Sequence, residues 1–116
     1  MRLLNAFAAF SGLIALVMLV LAAHALRDTL TPENLERIKL GAFLQLGAAA
    51  AGLAIANRTG ALNLIAGALI LAGAAIFAIT LYTLAMLGPH GFTFLASIGG
   101  ITLIVGWVIL IFTKPR

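Results

Sequence analysis

Few side chains in this chain of 116 residues can do chemistry. There are two histidines, His24 and His90, three acids, Asp28, Glu33 and Glu36, and no cysteine. Catalysis needs groups that move protons, attack, or hold a metal. Without cysteine, thiolate chemistry and Cys-ligated clusters are excluded. Asp28 stands four residues after His24, a helical neighbour if the helix runs that far. Such a pair at a helix end reads as an interfacial hydrogen bond rather than a catalytic dyad. His24 alone could ligate haem, but a four-helix haem protein normally offers two facing axial residues, and His90 lies in a Gly-Pro-His-Gly turn. There is no phosphate loop. The expectation is a protein that is not an enzyme, with no cofactor and no metal site.

The elements that would position these residues follow from composition. The chain is 64% hydrophobic and 9% charged, with a mean hydropathy of +1.22. A soluble domain carries roughly 25% charged residues to cover its surface; this chain does not have enough. An ordinary soluble domain, a disordered chain and a disulfide-stapled module are therefore excluded, and an all-α integral membrane protein remains. A spanning helix needs about 20 apolar residues. Four such stretches are read, at about 3–26, 40–56, 62–87 and 94–112. They predict a four-helix membrane bundle in which one membrane domain, 1–116, uses nearly every residue. Spanning barrels need alternating strands, and these runs are continuous and rich in Ala and Leu. The first run also has Arg2 ahead of it and Ala23-His24-Ala25 near its end, a small-x-small cleavage pattern. At close to 20 residues it exceeds the usual apolar core of a signal peptide, about 7–15 residues, so a retained span is expected.

The breaks between spans have local causes. Thr31 before Pro32 reads as an N-cap and first helical residue, with Glu33 suited to the positive end of the helix dipole. Leu35 and Ile38, flanked by Glu36, Arg37 and Lys39, predict a short amphipathic turn feeding directly into the second span. Asn57-Arg58-Thr59-Gly60 is a polar turn, and Gly88-Pro89-His90-Gly91 punctuates the next break. Four crossings put Arg2, Arg58, Lys114 and Arg116 on one side, without acids. Arg27, Arg37 and Lys39 fall on the other side with all three acids. The Lys/Arg bias is slight and favours cytoplasmic termini in the inner (plasma) membrane. The sequence pI near 10.9 comes from this handful of charges, not from a basic stripe. Nucleic-acid binding is not expected; anionic headgroups are the natural partners of these cations.

Lipid tails are as apolar as Leu, so helix association in a membrane relies on close packing of small residues. Gly47 and Gly52 in the second span, Gly73 in the third, and Gly99, Gly100 and Gly106 in the fourth are the expected packing positions. Ala48/Gly52, Ala68/Ala72 and Ala96/Gly100 each give a shallow groove at a spacing of four. Polar residues within the spans concentrate at one depth. His24, Gln45, Thr80, Tyr82 and Ser97 all fall in the leaflet opposite the termini. Two readings stay open. These residues hydrogen-bond one another and fix helix rotation, or they line a pocket for a lipid headgroup, a quinone-like molecule or a partner. His24 is expected to face the bundle and bond first to Gln45, then to Tyr82 or Asp28.

The order of motifs resembles one family. Ala22-Ala23-His24-Ala25-Leu26-Arg27-Asp28-Thr29-Leu30 is similar to the "GAHAL" segment and following loop of the small membrane family catalogued as domain of unknown function 423. Phe77-Ala78-Ile79-Thr80-Leu81-Tyr82-Thr83-Leu84-Ala85 resembles its "FSGSLY" segment. Ile98-Gly99-Gly100 with Gly106-Trp107 resembles its "PIGG…GW" ending. Gln45 fits the Gln of the family's "YQ…H" pattern, whereas Leu44 stands for its Tyr, Ala48 for its His, and Ser97 for the Pro before Ile98. The resemblance implies four spans and no established activity. Together these readings point to a small structural or accessory subunit, its partners being membrane lipid and a membrane-protein complex or homo-oligomer. The alternative is a small-molecule or lipid-binding protein using the leaflet cluster.

Overall fold

A computed structural model describes residues 2–89 and 91–115. Met1, His90 and Arg116 lie outside the described residues, and with them the turn position read for His90 and one cation of the charge count. Four helices follow one another: α1 (Arg2–Ala23), α2 (Pro32–Ile55), α3 (Ala61–Leu87) and α4 (Leu95–Ile111). No strand occurs among the described residues.

Helix α2 starts where local chemistry dictates. The Thr31 hydroxyl accepts the Asn34 N–H at 3.2 Å, Pro32 occupies the first turn, and the Arg37 guanidinium bonds Glu33 at 2.8 Å and Asn34 at 2.7 Å. The amphipathic stretch is the first part of one continuous 24-residue helix, and its Ile38 is fully buried. Helix α1 ends at Ala23, three residues before the expected Leu26. The Leu26 N–H reaches back to the Leu21 carbonyl at 2.8 Å, a wider step than the α-helical one, and three-residue turns follow from His24 to Thr29. Apolarity continues past that point, so composition alone does not mark the end.

Contacts between consecutive helices run in opposite numerical order, which makes each pair antiparallel. Gly12 meets Ala49 while Gly52 meets Ala8; Gly41 meets Ala78 and Tyr82 while Gly67 meets Ile55. Buried residues recur at steps of three and four, Leu4, Ala8, Ser11 and Ala15 on α1 and Ile38, Gly41, Gln45, Ala48, Gly52 and Ile55 on α2. That is the seam spacing of packed helices. Helices α1, α2 and α3 share two cores, one around Ala8, Ile55 and Ile70, to which α4 adds Leu103, the other around Ala15, Ile38 and Ala78. Helix α4 lies against α3 alone. The molecule measures 46 × 26 × 19 Å, long enough for a hydrocarbon core of about 30 Å and only about two helix diameters thick in its thinnest direction.

Large apolar side chains face outward all along α1 and α4, among them Leu13, Val20, Ile101, Ile104 and Ile111. In water this would be one continuous adhesive surface; in a bilayer it is the ordinary lipid-facing exterior. The protein is an all-α membrane protein of four helices. Three of them are long and apolar enough to cross a membrane; α4, at 17 residues, is an apolar helix below that length.

Candidate functional site

The polar residues read at one depth do not form one cluster. Two of them meet. The Tyr82 hydroxyl donates to the Gln45 side-chain oxygen at 2.7 Å, inside the α2–α3 contact, and both residues are buried. The sequence builds this pair locally. Gln45 occupies the buried seam of α2, four residues after Gly41. A Cβ at Gly41 would lie 3.3 Å from both the Ala78 Cα and the Tyr82 ring, so glycine there lets α2 approach beside the phenol.

The others point elsewhere. Thr80 is buried, but its hydroxyl donates to its own helix, to the Ile76 carbonyl at 2.6 Å, and it faces a cavity of about 380 Å³ between the ends of α3 and α4. That cavity is also lined by Thr83, whose hydroxyl likewise returns to the helix, and by Leu87, Phe92 and Leu95. Ser97 is exposed on the outer face of α4. His24 is exposed in the turn after α1 and its Nδ1 lies 3.0 Å from the Val20 carbonyl, so it bonds its own backbone rather than Gln45, Tyr82 or Asp28. Equal depth fixes how far along a helix a residue lies. It does not fix the rotation about the helix axis, and rotation separates these five.

The packing glycines divide in the same way. A Cβ at Gly73 would fall 2.5 Å from the Leu103 nitrogen and 2.7 Å from the Gly99 carbonyl oxygen; at Gly99, 2.6 Å from the Phe77 nitrogen; at Gly106, 2.9 Å from the Ile70 nitrogen. These three bring the α3 and α4 backbones into direct contact. Gly52 packs against Leu71 and Ala8. Gly47 has nothing within 4 Å, and Gly100 has only Phe77, at 3.9 Å. Ala68 and Ala72 face outward rather than into a helix contact.

A second polar assembly sits at the opposite end and was not singled out from the sequence. Asn63, buried in the first turn of α3, donates to the Thr59 carbonyl at 3.0 Å and the Lys114 carbonyl at 2.9 Å. Arg58 reaches Asn63 at 3.5 Å and Thr113 at 3.4 Å. These bonds tie the α2–α3 turn to the end of α4. The sequence signal was an amide in the first turn of a helix whose cap, Gly60, has no side chain to offer. Since Leu4 packs on Gly67, the start of α1 lies at this end too. Arg2, Arg58 and Lys114 therefore gather here, while Asp28, Glu33 and Glu36 all lie at the other end, where Glu33 pairs with Arg37 and Glu36 with Lys39.

Among the described residues, then, the buried Tyr82–Gln45 bond, the Arg58 and Asn63 ties, hydroxyls that return to their own helices and the exposed His24 are carried on helices brought together by close backbone approach. No curated protein and no solved structure matches the chain. Residues 19–100 match the model of a family described as protein of unknown function (DUF423). The match takes in the His24 segment, the stretch around Tyr82 and the Ile98-Gly99-Gly100 step, and stops short of Gly106-Trp107. On that match over most of its length, the chain belongs to the DUF423 family.

Proposed function

We propose that the protein is a small, non-enzymatic subunit of a membrane assembly, docking a helix of its partner on the outer face of α2. The observation that carries this is Gly47. A glycine inside a helix costs about 1 kcal/mol relative to alanine. Gly12, Gly41, Gly52 and Gly67 offset that cost by letting helices of this chain approach, whereas Gly47 has open space beside it. Ala50 and Ala54 continue the same exposed face, three and seven residues on, and together they form a shallow surface suited to another helix. The pocket alternative requires His24, Gln45, Thr80, Tyr82 and Ser97 to converge, and only Gln45 and Tyr82 do.

In this reading the protein sits in the inner (plasma) membrane and all four helices cross. The apolar stretch of α4 continues on either side of the helix through Phe92, Phe94 and Phe112, and both termini are cytoplasmic. Native mass spectrometry after gentle extraction tests it. The expected result is a stable heteromeric or homo-oligomeric mass for the wild type that Gly47→Leu reduces to the monomer without lowering the melting temperature. A wild-type monomer, or an assembly that Gly47→Leu leaves intact, overturns the proposal.

A further inference from the structure

At the basic end of the molecule, an apolar groove of about 460 Å³ runs between the first turns of α1 and the first half of α3. Its floor is Ala68 and Ala72, and its walls include Leu3, Phe7 and Leu64. Both floor residues face outward with only a methyl group, so the groove is open to the surrounding membrane. We propose that it is a binding site for one anionic phospholipid, its acyl chain lying in the groove and its headgroup meeting Arg2, in the positive field of that end.

Two observations select this occupant. The first is length. From Leu64 to Ala72 the groove extends along α3 for about 12 Å at 1.5 Å per residue. That is close to one leaflet's share, about 15 Å, of the hydrocarbon core. A partner helix would need a track through both leaflets. An acyl chain needs one, starting at headgroup depth, and this groove starts there. The second is charge. Arg2 immediately precedes the groove's first wall residue, Arg58 and Lys114 stand at the same end, and every acidic side chain lies at the other end. The cations at the acidic end include two already paired with Glu33 and Glu36. No acidic side chain competes with a phosphate for Arg2.

The site is distinct from the α2 face proposed for subunit docking, so the two stand or fall separately. The test uses the full chain in nanodiscs of equal parts dioleoylphosphatidylglycerol and dioleoylphosphatidylcholine, with retained lipids identified by native mass spectrometry. The wild type is expected to retain one phosphatidylglycerol about fivefold over phosphatidylcholine, the effect of roughly one surface cation on an anionic lipid. Ala68→Leu and Ala72→Leu each fill the groove and should abolish the retained lipid. Both positions face outward, so the melting temperature should hold. Arg2→Gln should leave a lipid bound but remove the headgroup preference. Gly47→Leu should retain phosphatidylglycerol as the wild type does. Equal retention of the two lipids by the wild type, survival of the adduct in both alanine variants, or its loss in Gly47→Leu overturns the site.

Discussion

Burying the Tyr82 hydroxyl among apolar side chains carries a desolvation cost that the Gln45 oxygen offsets. Removing one partner leaves the other unpaired, which costs about 1–3 kcal/mol in a dry core. Bonds between membrane helices average nearer 0.6 kcal/mol, because the unfolded chain in lipid also finds partners. Tyr82→Phe should therefore lower stability by about 1 kcal/mol in a detergent unfolding titration. The double variant Tyr82→Phe with Gln45→Leu should recover most of the loss, since no unpaired group then remains. A double variant less stable than the sum of the two singles would mean the pair is not a simple mutual hydrogen bond. His24→Gln should change stability by less than about 0.5 kcal/mol, as expected of a surface side chain. It is exposed and bonds only its own helix end. A larger loss in the same titration would put the imidazole back in the packed interior.

Between elements, what matters is which atom a new methyl group meets. At Gly52 the nearest atoms include the Leu71 methyl carbons, the far end of a flexible side chain. At Gly73 and Gly99 they are backbone atoms of the facing helix, which move only if the helix moves. Gly99→Ala should thus cost about 1–3 kcal/mol, the range for overpacking, and should loosen α4 from α3. Gly100→Ala, one residue on, should cost nothing measurable. Equal melting temperatures for the two variants would refute the glycine-mediated α3–α4 contact. This contrast shows what the sequence could reveal. Thr31, Pro32 and Glu33 marked the start of α2 because capping is decided within a few residues. Gly52 and Gly99 were legible as packing positions because small residues clustered around them. Gly47, Gly100, Ala68 and Ala72 looked the same in composition, yet Gly47, Ala68 and Ala72 face outward and Gly100 is half-buried with only Phe77 near it, since helix rotation is set by neighbours distant in the chain. The same rotation separated Thr80, Ser97 and His24 from the Tyr82–Gln45 pair.

The whole molecule has a basic end and an acidic end, joined by antiparallel helices. Thr59 lies just before α3 and Pro89 just after it, separated by a helix of 27 residues, about 40 Å long at 1.5 Å per residue. In an otherwise cysteine-free chain, Thr59→Cys and Pro89→Cys should react with membrane-impermeant maleimide from opposite faces of sealed vesicles. Thr59→Cys should react from the cytoplasmic side. Labelling of both from one face would remove α3 as a crossing; a reversed pattern would keep the crossing and invert the orientation. Three helices long enough to span were readable from apolarity alone. The one-sided attachment of α4 was not, because its hydrophobicity is nearly uniform around its axis and marks no preferred face.

That one-sided attachment bears on how the protein is made. Helix α4 is made after α1, α2 and α3 and packs against no helix but α3, so every contact among α1, α2 and α3 is available before α4 has been synthesised. Biogenesis can then proceed in two steps. A three-helix intermediate then has the Ile70, Gly73 and Phe77 face of α3 still bare, and α4, bringing Gly99 and Gly106, covers that face as a separate, late event that another helix of small residues would have to compete for.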